Sequence, residues 1–477
     1  MKKILESVGA RGLGWGSGLG RAAGLVRRMA AVVVGAGIWS AASAQDLTHK
    51  APPQRGAVVL TGGVVHTMTA DPIPDGYVYF RDGRIQAVGP SPMPRLAGDG
   101  ARIIDVSGRH VFPGMISGDT QLGLVEFPPV LPTVDTTELG DVTPEVRPIS
   151  AVNPDSTLLP VTRSNGVLVV GVMPSGGAIP GQVSVMRLDG WTWEEMSVRD
   201  SAGVLVNWPN VRPITAWWMD RSSDDQMREI RARVLAIEES FETARAYLRA
   251  RSADPSGPAD LRWEAMRGVF RDERADVPGE DPSPDRCVFI TANERDQITA
   301  AVTWAARAGV RAVIVGGRDA GDCADLLVRH DVAVIVDGTF SFPRRDDSPY
   351  DAAFTLPARL HAAGVRFCLS SGDRTANERN LPYNAGLAVA HGLDRAAAHR
   401  SITLWPAMIL GIEDRYGSIE AGKSATLIVT DGDPLEVRSN VRMAFIDGKE
   451  IDLRNKQSDL AEKYRTKYRQ REGGDDR

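Results

Sequence analysis

The side chains that most often hold metals are scarce in this chain. It has seven histidines and three cysteines among 477 residues. The histidines stand at positions 49, 66, 110, 330, 361, 391 and 399, so no two lie within four residues of each other. This excludes the helical His-x-x-x-His zinc motif. The cysteines, at positions 287, 323 and 368, lack the Cys-x-x-Cys spacing of structural zinc sites and redox motifs. A metal or nucleophile site must therefore be built from few candidates.

A glycine-rich segment offers a second kind of chemistry. It runs from Pro174 to Gln182 and follows the apolar run Val167 to Met173. A turn of this kind at the end of a strand can present backbone N–H groups to an anion or oxyanion. Gly176, Gly177 and Gln182 are therefore candidate substrate-binding residues. The alternative is a tight loop that needs glycine for its positive φ angles.

Short β-type runs near both chain ends indicate the elements that position these residues. Tyr77–Phe80 and Arg84–Val88 flank Asp82-Gly83, a strong hairpin signal. The runs Ala425–Thr430 and Val441–Ile446 repeat this style near the other end. Two such groups predict one small β domain assembled from both ends of the chain.

The middle of the chain alternates apolar runs with helical patterns. Val288–Ile290, Ala312–Val315, Val332–Val336 and Val365–Leu369 are continuous apolar runs separated by helix-length segments. Runs of this kind are typical of parallel strands buried on both faces. Repeated strand–helix units predict a barrel or a doubly wound sheet. The apolar spacing within 224–250 predicts a long amphipathic helix.

Charge and the N-terminal segment limit partners and location. The net charge is −5, with 61 acidic against 56 basic side chains, which argues against a dedicated nucleic-acid binder. Residues 1–44 resemble a signal peptide, with an apolar run from Met29 to Ala42 before Ala42-Ser43-Ala44. We therefore expect a periplasmic or secreted protein without a membrane span in the mature chain. The alternative is an uncleaved anchor.

Several motifs in fixed order resemble the amidohydrolase superfamily, in its imidazolonepropionase-like branch. The matching segments are Arg81–Gly89, Asp105–Ile116, Leu404–Gly411, Gly417–Lys423 and Phe445–Lys449. The resemblance implies an α/β fold with a (β/α)8 barrel at 112–412. It also implies a small β-sandwich built from 56–111 and 413–452, followed by a charged tail at 453–477. The implied activity is metal-dependent hydrolysis of C–N bonds in non-peptide or cyclic amides, with a small-molecule substrate.

The chain departs from this family at the metal ligands. Asp119 and Gln121 stand where the first two ligand histidines would be, and Asn293 stands near the fifth-strand histidine. The sixth-strand position falls on Gly316-Gly317, which has no ligating side chain, and no lysine occurs between positions 50 and 423 to bridge two metals. Asp373 matches the family's aspartate, which takes the proton from the attacking water.

These losses predict a divergent sub-branch with a depleted metal site at the C-terminal mouth of the barrel. The predicted site has Asp373 as the catalytic residue and Asp119, Gln121, Asn293 and Asp373 at degenerate metal positions. A divalent metal held by oxygen ligands and no metal at all both remain open. The main hypothesis is a hydrolase acting on C–N bonds. The alternative is a catalytically silent binding or scaffold protein with the same fold.

Overall fold

The structure is a computed structural model that describes residues 49–93, 100–214, 220–270, 285–372 and 375–472. The predicted signal segment and Asp373 lie outside these ranges. The limits predicted for the individual domains stay predictions. The C-terminal tail contains a helix over Lys456–Glu472. No helix in the described ranges is long and apolar enough to cross a membrane.

Strands from both chain ends form one sheet, the composite sheet. Its strands are β1 (Val58–Val65), β2 (Ile73–Arg81), β3 (Arg84–Pro90), β4 (Arg102–Asp105), β5 (His110–Pro113), β14 (Leu427–Thr430), β15 (Val441–Ile446) and β16 (Lys449–Glu450). The order is β16-β15-β14-β5-β1-β2-β3, with β4 paired to β1. The link between the two ends is antiparallel pairing of β14 with β5, which places Ile428 opposite Phe112. The predicted hairpin is confirmed, with Asp82 and Gly83 both at positive φ between β2 and β3.

The buried apolar runs of the middle form a second sheet, the barrel sheet. Its strands are β6 (Met115–Thr120), β7 (Val167–Val172), β8 (Gly181–Arg187), β9 (Ser197–Asn207), β10 (Cys287–Ala292), β11 (Ala312–Gly316), β12 (Ala333–Asp337) and β13 (Phe367–Ser370). They follow one another in chain order across the sheet. The two outer strands meet, because a Cβ atom on Gly118 of β6 would lie 2.9 Å from Cys368 Sγ of β13. The barrel sheet is therefore nearly closed.

One strand departs from the predicted regular strand–helix repeat. β8 runs antiparallel to both β7 and β9, whereas the other neighbouring pairs of the barrel sheet are parallel. A parallel connection needs a crossover of a dozen or more residues. The segment between β7 and β8, residues 173–180, is too short for one and returns the chain directly as a turn. The sheet is therefore mixed at this point.

Helices cover the barrel sheet where the connections are longer. They are α1 (Leu158–Arg163), α2 (Trp193–Met196), α3 (Ser223–Ala253), α4 (Leu261–Glu264), α5 (Arg295–Arg307), α6 (Ala324–Arg329), α7 (Ala352–Ala362), α8 (Leu381–Ala390), α9 (Arg395–Ser401) and α10 (Leu404–Leu410). The exposed helix of the C-terminal tail is α11 (Lys456–Glu472). The predicted amphipathic helix is confirmed as α3. Its buried face includes Phe241, whose ring meets Trp304 of α5 edge to face at 4.8 Å between centroids.

Three histidines that are far apart in sequence meet beside the composite sheet. His66 Nε2 lies 3.0 Å from His110 Nδ1, and the His66 ring stacks on Phe112. His399 of α9 stacks on the same phenylalanine, and its Nε2 lies 3.3 Å from Asp433 Oδ1. Stacking and internal pairing are the environment of structural histidines.

This arrangement predicts a loss of stability in acid. Burial, followed by the charges of His110 and His399, lowers the pKa of His66 to about 4. The unfolded chain takes up a proton near the ordinary histidine pKa of about 6.5, so stability falls as the pH drops from there toward 4. We expect about 1–2 kcal/mol from His66, because solvent screens the partly exposed ring.

Thermal unfolding of wild type and of His66→Gln at pH 7 and pH 4.5 measures this loss. The acid shift in Tm should be smaller in His66→Gln, while His330→Gln, at an exposed position, should keep the wild-type shift. Equal acid shifts in Tm for wild type and His66→Gln would show that His66 is not the source of the stability loss.

Candidate functional site

The buried carboxyl groups of the barrel sheet meet at the C-terminal ends of β6 and β13. Asp119 is the penultimate residue of β6 and is 3% exposed. Glu378 begins a short 3-10 helix, Glu378–Asn380, that follows β13 and precedes α8, and its side chain is fully buried. The charge of Asp119 acts on Glu378. Two strand ends that are distant in sequence thus bring two carboxyls together.

Three hydroxyl groups surround Glu378. Ser371 Oγ donates a hydrogen bond of 2.8 Å to Glu378 Oε1. The hydroxyls of Ser117 and Thr120, both on β6, also act on this carboxyl group and lower its pKa. The second oxygen, Oε2, is buried and has no hydrogen-bond partner among the described residues. We call Asp119, Glu378 and these three hydroxyl residues the carboxyl cluster.

The environment of the carboxyl cluster favours a protonated Glu378. The pKa of Glu378 is raised to about 8, mainly by burial and to a smaller extent by the charge of Asp119, while the three hydroxyls oppose the rise. Burial, with a smaller contribution from Asp119, also raises the pKa of the Cys368 thiol. A strongly perturbed carboxyl at the end of barrel strands marks a functional-site candidate.

Gln121 is engaged by the glycine-rich turn. Its Nε2 donates a hydrogen bond of 2.5 Å to Ser175 Oγ. The backbone N–H of Ser175 in turn donates to Thr136 O at 2.7 Å. The Gln121 amide therefore ties the end of β6 to the turn after β7.

Asn293 is engaged at the end of β10. Its Oδ1 accepts a hydrogen bond of 3.4 Å from the backbone N–H of Arg318. A Cβ atom on Gly316 would lie only 2.6 Å from this oxygen, so the Asn293 side chain occupies the space beside the end of β11. This contact gives a physical reason for glycine at position 316.

An ion-pair network covers the ends of β10 and β11. Glu294 pairs with Arg318, and also with Arg345 at 2.9 Å. Arg345 Nη1 lies 2.7 Å from Asp319 Oδ2. The charged side chains in this part of the site therefore form ion pairs with one another.

The candidate substrate-binding residues lie in or next to the turn between β7 and β8. The side-chain amide of Asn207 donates to the carbonyl oxygens of Gly176 and Gly177, at 3.0 and 2.8 Å. Gly176 has a φ of 120°. Gln182 is buried within β8, and its backbone N–H donates to Val146 O. The substrate-binding role of Gly176, Gly177 and Gln182 stays a prediction.

Gly177 lies directly against backbone, and this predicts the effect of its substitution. A Cβ atom at this position would lie 2.4–2.7 Å from backbone atoms of Asp141. Because backbone cannot move aside as a flexible side chain can, Gly177→Ala should lower stability by about 1–3 kcal/mol.

The matched control for this test is Gly257→Ala, where the nearest atom to an added Cβ would be 3.9 Å away. Chemical denaturation of the two variants and wild type measures the difference. A Gly177→Ala variant as stable as Gly257→Ala would show that the turn can shift to accept a side chain.

The described residues do not fit the metal centre that the family resemblance implies. They contain no group of three or more His, Cys, Asp or Glu side chains that could hold a metal ion. The amides of Gln121 and Asn293 are engaged at two separate places, by Ser175 and by the backbone of Arg318. The roles predicted for Asp373 remain predictions, because this residue lies outside the described ranges.

Glu378 cannot be recognised from sequence motifs. It lies seven residues after Ser371, in a segment without motif spacing. The available signal was a run of small hydroxyl residues at two strand ends, Ser117 to Thr120 and Ser370-Ser371, followed by an acidic residue before a helix. This signal is weak, because serine next to an acidic residue is also typical of ordinary turns and helix caps.

Comparisons with known proteins agree with the resemblance seen in the motifs. The amidohydrolase family profile matches residues 287–451. The chain is 25% identical over 379 residues to an imidazolonepropionase of Mesorhizobium japonicum, covering 75% of this chain and 86% of that protein. It is also 25% identical over 377 residues to the amidohydrolase tasK of Hapsidospora irregularis, covering 73% of this chain but only 37% of that longer protein.

Solved structures agree on the fold. An amidohydrolase from Thermotoga maritima MSB8 aligns with a TM-score of 0.71 at 24% identity, covering 83% of this chain and 100% of that one. A structure of molinate hydrolase aligns with a TM-score of 0.51 at 17% identity, over 84% and 95% of the two chains. The motifs, the family profile and the two relatives support the amidohydrolase superfamily, and the solved structures support the fold.

Proposed function

We propose that the protein is a hydrolase that cleaves C–N bonds in non-peptide amides or cyclic amides, with a depleted metal site at the mouth of its barrel. The match of the amidohydrolase family to residues 287–451 carries this proposal. That region contains β10 to β13 and two of the five residues of the carboxyl cluster, Ser371 and Glu378. The family match and the imidazolonepropionase relative point to an enzyme of this hydrolase class.

The carboxyl cluster suits amide hydrolysis chemically. Cleavage of an amide needs a base for the attacking hydroxyl or water and an acid for the leaving nitrogen. Carboxyl groups held in different environments can divide these tasks. Asp119 and Glu378 supply two such groups at the end of the barrel strands, where barrel enzymes keep their active sites. The proposed substrate is a small molecule.

The finer features of the proposal rest on the family resemblance. They are a (β/α)8-type barrel joined to a β-sandwich, a divergent metal-depleted sub-branch, and Asp373 as the base for the attacking water. Asp119, Gln121, Asn293 and Asp373 remain the proposed degenerate metal positions, and Gly176, Gly177 and Gln182 the proposed substrate contacts. A periplasmic or secreted location follows from the signal-like segment within residues 1–44.

The test is amine or ammonia release from a panel of cyclic and acyclic amides by purified protein. Wild type should turn over at least one class of substrate. Asp373→Asn should lower kcat/KM by about 100-fold or more. The control is Asp346→Asn, at an exposed loop position after β12, which should match wild type. A folded protein that releases no amine from any substrate would instead favour the silent scaffold.

A further inference from the structure

A cavity lies at the N-terminal end of the barrel sheet, where β13 begins. Its volume is about 250 Å³. The lining comes from His361 in the last turn of α7, from residues 364–367, which lead into β13, and from Trp405, Met408 and Ile409 of α10. Ser371 of the carboxyl cluster follows the opposite end of β13. The cavity is therefore separate from the candidate functional site.

Aromatic side chains form the walls of the cavity. Phe367 is fully buried, and its ring meets the Trp405 ring edge to face at 5.2 Å between centroids. The His361 ring also contacts Trp405, at 5.8 Å between centroids. Ile409, which is buried, and Met408, which is 37% exposed, add apolar surface. A flat ring packs well against walls of this kind, either edge to face or offset.

The cavity has room for one aromatic ring and a small substituent. An engineered apolar cavity of about 150 Å³ in another protein binds benzene, and this cavity, at about 250 Å³, is larger. Pockets for drug-sized ligands begin at about 300 Å³. The size therefore favours a small ligand with a single ring and one polar group.

The polar side chains around the cavity carry hydrogen-bond donors. Arg366 lines the cavity, and its Nη2 donates to the carbonyl oxygen of Asp331 at 3.1 Å and lies 2.8 Å from Asp331 Oδ1. Its Nε and Nη1 have no hydrogen-bond partner among the described residues, and the same holds for the ring nitrogens of His361 and Trp405. None of the described residues that line the cavity is acidic.

These donors favour an anionic ligand over a neutral one. Asp331 is 78% exposed, so solvent screens its ion pair with Arg366 and the pair holds the guanidinium only weakly. A planar guanidinium with open N–H groups matches the two oxygens of a carboxylate. Aromatic walls beside such a donor match a carboxylate that is attached to an aromatic ring.

We propose that this cavity is a binding site for a small aromatic carboxylate. The ring packs against Trp405 and Phe367, and the carboxylate accepts hydrogen bonds from the open N–H groups of Arg366. This inference does not depend on the proposed hydrolase function, because no residue of the carboxyl cluster lines the cavity.

The test is titration of the purified protein with sodium benzoate, followed by calorimetry and by saturation-transfer NMR of the ligand. Wild type should bind one benzoate with a Kd of about 1 mM or below, the affinity expected for a ligand of this size. Arg366→Met should weaken binding by about 10-fold or more, because it removes charge-assisted hydrogen bonds. Trp405→Leu should weaken binding by about 10-fold, because it removes an aromatic wall.

Two further probes separate the ring from the carboxylate. Benzyl alcohol, a neutral ligand of similar size, should bind wild type about 10-fold more weakly than benzoate, and Arg366→Met should not weaken it further. Cyclohexanecarboxylate, which lacks a flat ring, should also bind more weakly than benzoate.

Each variant has a matched control at a site outside the cavity. Trp191→Leu is the control for Trp405→Leu, since Trp191 is 68% exposed. Arg442→Met is the control for Arg366→Met, since Arg442 also pairs with an aspartate, Asp431, at the surface. Both control variants should bind benzoate like wild type.

Three outcomes would overturn the inference. One is the absence of benzoate binding by wild type up to about 20 mM. Another is benzoate binding that is unchanged in Arg366→Met, which would place the ligand elsewhere. This variant decides the question even if Trp405→Leu does not fold, because Arg366 lies in a surface ion pair. The third is equal affinity of wild type for benzoate and benzyl alcohol, which would exclude a carboxylate as the preferred ligand.

Discussion

Replacing Glu378 by glutamine should stabilise the protein in alkaline solution and have little effect in acid. The carboxyl is fully buried, and its pKa is raised to about 8. Between the ordinary glutamate pKa of about 4.3 and pH 8, the folded chain keeps a proton that the unfolded chain loses. Stability therefore falls as the pH rises through this range, by about 1.4 kcal/mol per pH unit.

Glutamine has the same shape and no charge, so the variant should not lose this stability. We expect Glu378→Gln to gain about 3–5 kcal/mol relative to wild type between pH 4.5 and pH 8.5. The measurement is Tm at both pH values. Glu413→Gln, at an exposed position before the composite sheet resumes, should show the wild-type pH dependence. If Glu378→Gln instead shows the wild-type pH dependence, Glu378 ionises in the folded protein at its ordinary pKa.

A second large effect is expected at the opposite end of the barrel sheet. Arg163, at the end of α1, lies 3.2 Å from Asp189, which follows β8. Both side chains are almost fully buried, with exposures of 3% and 2%. The Arg163 guanidinium also donates to the backbone oxygens of Leu188 and His49. The pair thus fixes the segment that enters the composite sheet against the start of the barrel.

Arg163→Met should cost about 3–5 kcal/mol, because it leaves the Asp189 carboxylate buried without its partner. The double variant Arg163→Met with Asp189→Leu should regain much of this loss. The control is Arg366→Met, since Arg366 pairs with Asp331 at the surface and should contribute about 1 kcal/mol or less. Chemical denaturation measures all three. If Arg163→Met were as stable as Arg366→Met, Asp189 would have to pair with another group or bind a proton in the variant.

Local patterns were sufficient to predict much of the fold. The Asp82-Gly83 hairpin follows from residues that accept positive φ, and α3 follows from apolar residues at helical spacing. The reversed β8 could not be predicted in the same way. Its apolar run is compatible with either direction, and the direction depends on the length of the connection after β7. That length becomes informative only when the ends of both strands are known.

Less of the candidate site than of the fold could be predicted from the sequence. Asp119 was found because it stands within a recognisable motif frame after Pro113-Gly114. Glu378 was missed because its partners on β6 lie more than 250 residues earlier and reach it only when the barrel sheet closes. The contact between Asn293 and Gly316 likewise depends on the pairing of β10 with β11. Spacing along the chain does not record such contacts.

The most direct test is amide turnover by the purified protein before and after a chelator removes divalent metals. The metal content is measured by mass spectrometry. Hydrolysis of a C–N bond is proposed at a carboxyl cluster whose described residues do not fit the family's metal centre. We therefore expect amine release that is unchanged when the protein contains less than stoichiometric metal. Absence of amine release from all substrates, or turnover that is lost with the metal and restored by adding it back, would contradict this proposal.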